Sequence, residues 1–451
     1  MKTTTIFLLL FLLALNSCAQ VPVSHPVVPS SGSVSDDNEF IEGLASSSSL
    51  VVNVPAKRSY RITKPIKFTN KHVIAEGCQF ILSADGGGNS GRISVVGGSL
   101  NGGEFYTDAP AEIGGKLDGS AVLNLNNSTA VSCTIYSQLN YCIRSTGKSI
   151  IDSCRLFGGG YRSLEIEGDF SGTSIADNVI LNSGARYINR KVYSIEKNEG
   201  IGVHLSSTTA IDRVELRDND LEYNGHSGIW AEAMKSAITH FIVSGNRISN
   251  SGKCLSENGT AIHNNESGTC IEIIGCPGAE VDSNVTSGPL GYNIAVARGS
   301  HRAQVFKNIC RGISEDPAVY IGFADDVLIK SNEISGGTFG VSVGESGPAN
   351  RCKVVDNDIH DNTYAPLLFN SGSNLKIDGN TIQQYVFSAA YEGKGPVKHR
   401  DVCRIGARAD SVFSTGNTFT GNFNALYTPM GGPPKTISSK GDKISFPISP
   451  H

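Results

Sequence analysis

The sequence predicts an all-β fold, a single-stranded right-handed parallel β-helix whose amino end is closed by a short helix. Three observations lead to this prediction: an internal repeat, an abundance of glycine, and short apolar segments in place of long amphipathic helices. The chain has 451 residues, of which 51 are Gly, and 18% of its residues are charged. We assign residues 1–17 to a signal peptide, 18–35 to a tether and 36–447 to the β-helix domain.

The first residues have the pattern of a secretion signal. Lys2 precedes a continuous apolar run, Ile6 to Leu15, which is too short to span a bilayer because that takes about 20 apolar residues. The stretch that ends at Cys18, L-N-S-C, resembles the lipobox of bacterial lipoproteins. The resemblance implies that Cys18 is lipidated and anchors the chain in the outer membrane or at the cell surface. An ordinary signal peptide with a periplasmic product is the alternative. Residues 21–35, rich in Pro and Ser, indicate a flexible tether.

A short helix is predicted before the first strand. Phe40, Ile41 and Leu44 are spaced for one helical face, and Ser or Asp stands where the helix would begin. A helix near Asp37 to Ala45 would cover the first coil, where an exposed strand edge invites aggregation.

The repeat is defined by an Asn that is followed two positions later by an apolar residue. The position of this Asn in each repeat is here called the slot. Most slots recur after 21 to 25 residues, a period typical of one β-helix coil, and longer intervals of 41, 38 and 37 residues indicate inserted loops. Stacked Asn side chains can bond to one another along the axis, so we expect Asn308, Asn332, Asn357 and Asn380 to stack on successive coils. The other slots are Cys78, Gly98, Cys133, Cys154, Asn178, Asn219, Asn246, Asn284 and Asn417.

Net charge and cysteine spacing argue against two classes of function. The net charge of −4 provides no basic field, so nucleic acid is not an expected partner. The sequence contains no C-x-x-C pair and no His pair with zinc spacing, which argues against a zinc site. Secretion permits disulfides, and Cys254 and Cys270 of the second long repeat could form one, although spacing alone does not determine connectivity.

The candidate site follows from aligning the strands that come after successive slots. If Ile201, Ile229, Ile262, Ile294 and Val319 point inward, every second residue points outward. One outward column then contains Gly202, Trp230, His263, Ala295 and Tyr320, and the next contains His204, Glu232, Asn265, Ala297 and Gly322. Such residues side by side can stack on a sugar and transfer protons. The alternative is that Trp230 covers an apolar patch and the histidines only form hydrogen bonds.

This face favours chemistry on an acidic polysaccharide. β-Elimination at a uronate needs a base, an acid and a cation beside the carboxylate. The residues predicted to transfer protons are His226, His263, Tyr320 and His204. The residues predicted to bind substrate are Asn224, Trp230, Glu232, Asn265, Arg298, Arg190 and Lys191. Calcium is the one cofactor that the scattered Asp and Glu residues would suit.

Two long repeats are expected to wall this face, because insertions in solenoids collect on the binding side. The first carries a cationic and aromatic cluster: Arg186, Tyr187, Arg190, Lys191 and Tyr193. The second carries Cys254 and Cys270. The third long repeat, around Lys394 to Arg400, is the next candidate for a site.

Three resemblances suggest reaction classes. Residues 48–77 resemble the opening of pectate-lyase-like and phage tailspike β-helices, which implies a lyase. Asn224 to Ile229, N-G-H-S-G-I, resembles the N-x-x-H-G-I coils of mannuronan carbon-5 epimerases, but the D-P-H-D segment that supplies their catalytic His is missing. Asp325-Asp326 resembles the paired aspartates of polygalacturonase-like β-helices, without their N-T-D, G-H-G and R-I-K elements. A lyase is the first prediction; a glycoside hydrolase, a carbon-5 epimerase and a non-catalytic glycan-binding lipoprotein are the alternatives.

Overall fold

The computed structural model describes residues 34–83, 92–108, 120–265, 267–312, 316–388, 400–430 and 436–445. The predicted signal peptide, Cys18 and most of the tether lie outside these ranges, as does Lys394 in the third long repeat. Within the described ranges, no helix has the length and apolar character needed to cross a membrane.

A single described helix, α1 (Val34–Ser46), precedes the first coil. Ile41 is fully buried, so one face of α1 packs on the end of the core. Asp37 accepts a 3.1 Å hydrogen bond from the backbone amide of Arg61, which ties the helix to the first coil. The predicted capping helix is therefore confirmed.

Three long parallel sheets, here called A, B and C, form most of the remaining described structure, and each described coil except the last contributes one strand to each sheet. Sheet A has 15 strands. They are β1 (Val51–Asn53), β4 (His72–Ile74), β7 (Ser99–Asn101), β10 (Thr129–Val131), β13 (Ile150–Asp152), β16 (Ser174–Ala176), β21 (Ile211–Arg217), β24 (Ile238–Ser244), β29 (Glu280–Asp282), β32 (Gln304–Phe306), β35 (Leu328–Lys330), β38 (Lys353–Val355), β41 (Leu375–Asp378), β44 (Ser411–Thr415) and β47 (Thr436–Lys440).

Sheet B also has 15 strands, which follow those of sheet A in every coil. They are β2 (Ser59–Ile62), β5 (Gln79–Leu82), β8 (Glu104–Tyr106), β11 (Thr134–Ser137), β14 (Arg155–Gly158), β17 (Val179–Leu181), β22 (Asp220–Glu222), β25 (Arg247–Ser249), β30 (Val285–Ser287), β33 (Ile309–Arg311), β36 (Glu333–Ser335), β39 (Asp358–His360), β42 (Thr381–Gln384), β45 (Thr418–Gly421) and β48 (Lys443–Ser445).

Sheet C has 14 strands and carries the residues of the candidate site. They are β3 (Pro65–Thr69), β6 (Arg92–Val96), β9 (Ala121–Asn126), β12 (Tyr141–Thr146), β15 (Arg162–Glu167), β20 (Ile201–Ser206), β23 (Ile229–Glu232), β28 (Ile271–Ile274), β31 (Ile294–Ala297), β34 (Val319–Gly322), β37 (Phe339–Val343), β40 (Ala365–Gly372), β43 (Asp401–Ala409) and β46 (Ala425–Met430). The predicted parallel β-helix is confirmed.

Alternate residues of these strands point inward and form one continuous apolar core. At the corner between sheets A and B, the predicted asparagine ladder runs through the core wall. Asn308 donates from its amide nitrogen to Oδ1 of Asn332 at 3.0 Å, and Asn332 donates in turn to Asn357 at 2.9 Å. The predicted stacking of these asparagines is confirmed. The slot assigned to Gly98 is wrong: β11 pairs Thr134 with Glu104, so the residue level with Cys133 is Gly103.

The ten described cysteines after Cys18 are all buried free thiols. The predicted Cys254–Cys270 bridge is therefore wrong. The Cys254 thiol donates to the carbonyl of Ser183 at 3.3 Å, whereas Cys270 accepts from the Ser251 hydroxyl at 3.7 Å. The two thiols thus bond to different parts of the coil.

The first two long repeats insert antiparallel hairpins between a sheet B strand and the next sheet C strand. The first hairpin is β18 (Ala185–Ile188) with β19 (Lys191–Ile195), and the second is β26 (Lys253–Leu255) with β27 (Ala261–His263). The second hairpin bonds to the residues on either side of the first, since the Leu255 amide donates to Asn182 at 2.7 Å and Asn264, just after the hairpin, donates to the Glu199 carbonyl at 2.6 Å. Both hairpins therefore stand beside the strands that begin sheet C in these coils.

Candidate functional site

The outward column of sheet C differs from the predicted column in two places. Strand β20 pairs Val203 with Ile229, so His204 rather than Gly202 lies beside Trp230. Strand β28, not the segment that contains His263, follows β23, so Glu272 lies on the other side of Trp230. The column therefore contains, in order, Glu165, His204, Trp230, Glu272, Ala295 and Tyr320. We call Arg162, Glu165, His204, His226, Trp230, Glu232 and Glu272 the sheet C strip.

His204 is the centre of the strip and is almost completely buried. Its Nδ1 lies 3.0 and 3.1 Å from the two carboxylate oxygens of Glu165, and Glu165 also accepts a 2.5 Å bond from Arg162. Its Nε2 lies 3.4 Å from Glu232, at an angle that leaves Nε2 without a hydrogen bond, so this contact is electrostatic. Burial opposes the charge on the ring, but the two carboxylates outweigh it and raise the pKa of His204.

Trp230 separates two histidines. The His226 ring stacks on it at 5.2 Å between centroids with an interplanar angle of 14°, and His204 meets it edge-on at 5.6 Å. One face of the indole is therefore covered by His226, which reduces the surface that Trp230 can offer to a sugar. Burial, the charge of Arg162 and the charge of His204 together lower the pKa of His226, which favours a neutral imidazole.

Glu232 and Glu272 lie on neighbouring strands, and their surroundings shift their pKa values in opposite directions. The His204 imidazole lowers the pKa of Glu232, although burial opposes this. Burial raises the pKa of Glu272, and the negative charge of Glu232 adds to the effect. Because Glu272 pairs with Trp230, two positions before Glu232, the Cα atoms of the two glutamates are roughly 8 Å apart.

Several predicted site residues lie away from the strip. His263 pairs with Lys253 in the second hairpin, and the supposedly inward Ile262 is 43% exposed. Asn265 follows that hairpin and accepts from the Ser267 amide. Their predicted position in the sheet is wrong because an inserted hairpin strand has the same alternation of apolar residues as a sheet strand.

Two further predicted residues are in the sheet region but not beside His204. Tyr320 stacks on Tyr292 at 4.8 Å and lies three strands beyond Trp230, roughly 14 Å away. Asn224, predicted to bind substrate, has no exposed surface. It lies inside the corner that leads from sheet B to sheet C.

The predicted cations are also placed elsewhere. Arg190 donates to Glu104 at 2.5 Å, and its guanidinium lies 3.8 Å from the centroid of the Tyr106 ring, because the first hairpin folds back over earlier coils. Lys191 is exposed on the same hairpin. Arg298 is exposed in the turn after β31 and lies 5.9 Å from the centroid of the Phe323 ring. All three predicted cations therefore lie outside the sheet C strip, whose own cation is Arg162.

Sequence reasoning missed Arg162, Glu165 and Glu272. The signal was present, since R-S-L-E-I-E follows the Cys154 slot and C-I-E-I-I follows the Asn246 slot with the alternation of a sheet C strand.

Asp325 and Asp326 are occupied at another corner: Asp325 accepts from Asn350 at 2.9 Å, and Asp326 accepts two 2.7 Å bonds from Arg351.

A calcium ion finds no prepared site in the described part of the chain, where no three His, Cys, Asp or Glu side chains converge to hold a metal. A cavity of about 740 Å³ lies at the amino end, away from the strip, and is bordered by Arg58, Gln79 and Glu104. Two of its charged groups are already paired, because Arg58 lies 3.4 Å from Asp37 and Glu104 accepts from both Gln79 and Arg190. The sheet C strip is therefore the stronger candidate.

Comparison with proteins of curated function gives no match. Among solved structures, the chain is similar to the A-module of the mannuronan C-5 epimerase AlgE4 of Azotobacter vinelandii, with 13% identity over 79% of this chain and 89% of that one and a TM-score of 0.49. It is also similar to the GH87 α-1,3-glucanase of Streptomyces thermodiastaticus, with 16% identity over 93% and 70% and a TM-score of 0.47. The Streptococcus pneumoniae adhesin PfbA gives 12% identity over 78% and 87%, with a TM-score of 0.46.

These low values assign no reaction to the chain. The family model described as "Right handed beta helix region" matches residues 187–382 and 269–437, which together cover more than half of the sequence. The repeat, the three parallel sheets and this match agree, and the chain belongs to the right-handed β-helix family.

Proposed function

We propose that this protein hydrolyses glycosidic bonds of a polysaccharide and that the sheet C strip is its active site. The observation that carries the proposal is the opposite displacement of the pKa values of Glu232 and Glu272. A glycoside hydrolase needs one carboxyl group that stays protonated and one that stays ionised near neutral pH. The proposal selects the hydrolase among the alternatives that the sequence left open.

Glu272 is the general acid in this proposal. Its raised pKa keeps a proton available for the oxygen of the scissile bond. Glu232 is the carboxylate that attacks the sugar carbon or activates a water molecule. A Cα separation of roughly 8 Å leaves room for carboxyl groups about 5 to 9.5 Å apart, the range that covers both glycosidase mechanisms.

Arg162, Glu165 and His204 act on the reaction through Glu232. The Glu165 carboxylate holds His204 in place through Nδ1 and favours the imidazolium, which then stabilises the ionised form of Glu232. Arg162 in turn compensates the charge of Glu165. This arrangement favours the ionised form of Glu232, while burial favours the protonated form of Glu272 one strand away.

The test is a screen of the purified mature protein against neutral and acidic polysaccharides, with reducing ends and unsaturated uronate ends measured separately. We expect new reducing ends without unsaturation. Glu272→Gln should lower the rate by about 10²- to 10⁴-fold, the usual contribution of a general acid. Glu280→Gln is the matched control, since Glu280 is exposed on sheet A in the following strand of the same coil.

Two results would contradict the hydrolase. Near-normal activity of Glu272→Gln on a substrate that the wild-type protein cleaves would remove Glu272 from the reaction. Binding of a glycan without any cleavage would favour the glycan-binding lipoprotein.

β-Elimination of a uronate is the second candidate, and His226 is the observation that favours it. Its lowered pKa favours a neutral imidazole that is available as a base; Arg162 is the nearby cation, and a uronate carboxylate would have to compete with Glu165 for it. Growth of ultraviolet absorbance from unsaturated ends, abolished by His226→Ala, would establish the lyase in place of the hydrolase.

We also propose that the chain is secreted and anchored to a membrane through a lipid on Cys18. The support is the apolar run that precedes L-N-S-C in the sequence. Cys18→Ser should move the protein from the membrane fraction to the soluble fraction of cells that express it. An unchanged distribution would contradict the lipid anchor.

A further inference from the structure

Sheet C continues past the strip towards the amino end of the β-helix, and we infer that this part of the face binds an uncharged glycan several sugars long. The inference rests on the proposed hydrolase for the identity of the polymer, which would be the same chain that the strip cleaves. The location of the binding face follows from the exposure and chemistry of the outward residues.

The outward column is continuous from the strip to the amino end. Glu165 pairs with Arg144, Arg144 with Asn124, and Asn124 with Ser94. A cavity of about 430 Å³ lies over these strands, and the outward residues that border it include Lys67, Ser94, Asn124, Asn126, Arg144, Thr146 and Glu167. The cavity and the strip therefore share one face, and Glu167 lies two residues beyond Glu165.

Exposure makes the two directions along the column unequal. Ser94, Asn124 and Arg144 are all partly exposed. In the opposite direction, Ala295 is 2% exposed and Ser342 has no exposed surface. Glu165 and His204 are buried as well, so the exposed path from the amino end to Glu232 runs along the neighbouring column, which contains Asn126, Thr146, Glu167 and Ser206.

The chemistry of most of the open half suits hydroxyl groups; Lys67, exposed on β3 at its far edge, is the exception. Asn124, Asn126 and Thr146 present amides and a hydroxyl, which can donate to and accept from sugar hydroxyls. Arg144 is paired with Glu167, with Nε 2.8 Å from the carboxylate oxygen, so its charge is compensated. A uronate at this position would have to compete with Glu167 for the guanidinium.

Strand spacing gives the length of the bound glycan. Neighbouring strands are about 4.8 Å apart, which is close to the length of one pyranose unit along a chain, so the five steps from β6 to β23 span roughly 24 Å. A glycan of about five sugars would therefore reach from Ser94 to Glu232. Shorter oligosaccharides would leave the amino-terminal strands empty.

The test places a bulky side chain in the open half. Asn124→Trp should raise KM about tenfold or more for neutral hexasaccharides while kcat remains unchanged, because contacts far from the scissile bond are lost. Activity on chromogenic disaccharide substrates should not change. Thr129→Trp is the matched control: Thr129 is a partly exposed strand residue of the same coil, but it lies on sheet A.

Binding is measured independently of cleavage by calorimetric titration of cello-, xylo-, manno- and laminarihexaose into Glu272→Gln, with and without Asn124→Trp. If the double variant no longer binds hexasaccharides that Glu272→Gln binds, the result supports the glycan-binding face. If the wild-type protein hydrolyses none of these sugars, the proposed hydrolase activity is contradicted but the binding face is not. Hydrolysis with an unchanged KM in Asn124→Trp overturns the glycan face and leaves the hydrolase intact. Tight binding of polyuronates, in place of the neutral sugars, overturns the inferred substrate class.

Discussion

Replacing Asn308 with Ala should destabilise the β-helix strongly, because this side chain makes four hydrogen bonds in the core wall. Its Nδ2 donates to the Val281 carbonyl at 2.8 Å and to Asn332 Oδ1 at 3.0 Å. Its Oδ1 accepts from the backbone amide of Asn284 at 2.9 Å and from the side chain of Asn284 at 3.0 Å. Asn308→Ala leaves the backbone amide of Asn284 buried without its acceptor and removes three further hydrogen bonds.

The orphaned amide costs about 1 to 3 kcal/mol and each of the other three lost bonds about 0.5 to 1.5 kcal/mol, so we expect the free energy of unfolding to fall by about 4 kcal/mol. Urea denaturation gives the loss in stability, and hydrogen exchange of a peptide over residues 280–287 reports directly on the Asn284 amide, whose protection should drop. Asn53→Ala is the control, because Asn53 is exposed on the first strand and its loss should cost less than about 0.5 kcal/mol. A change of that small size in Asn308→Ala, with unchanged exchange, would refute the role of the ladder.

Three further predictions concern the strip and the thiols. The pH profile of kcat/KM should be bell-shaped, with an acidic limb from Glu232 below the ordinary glutamate pKa and an alkaline limb from Glu272 above it; a profile without the alkaline limb would contradict the assignment. The pKa of His204 is raised in the folded state, so its positive charge stabilises the protein at pH values below about 6.5, and this contribution is lost as the pH rises through the pKa of the folded state. The difference in stability between wild type and His204→Gln, measured by urea denaturation at several pH values, should therefore shrink as the pH rises. Burial raises the pKa of the Cys254 thiol to about 12, so a thiol reagent should label it only after unfolding, and rapid labelling of the native protein would show that the hairpin opens.

The fold could be predicted because the ladder leaves a local signal. A buried Asn at a corner must find its partners in the coils before and after it, so the same residue recurs at the same place in each coil. Gly98 was misplaced because near the amino end the slot is filled by Cys or Gly, which carry no comparable bonding requirement. The helix α1 followed from the spacing of Phe40, Ile41 and Leu44, which is independent of the repeat.

The candidate site was predicted only in part, because strand register depends on pairing between distant residues. In β20 both Ile201 and Val203 fit an inward position, and only the pairing with Ile229 distinguishes them. The segment around His263 reads as a sheet strand, whereas the hairpin pairs it with Lys253 and leaves Ile262 in solvent. That one error placed His263 at the position in the predicted column that Glu272 occupies in the structure. Trp230, His204 and Glu232 remained in or beside the column because their own strands were identified correctly.

The last rung of the ladder has a consequence for assembly between molecules. Asn417 donates to Oδ1 of Asp442, and the other oxygen of Asp442 accepts from Ser414 and Ser439. An ionised carboxylate only accepts hydrogen bonds, so this rung has no amide hydrogen to offer to a further coil, whereas an Asn here would have one. A second molecule that approached this end would meet a negative charge instead of a donor, and the polar row cannot continue from one molecule into the next. A further coil stacked on this rung would therefore have to supply the donor itself, which no rung between two asparagines requires.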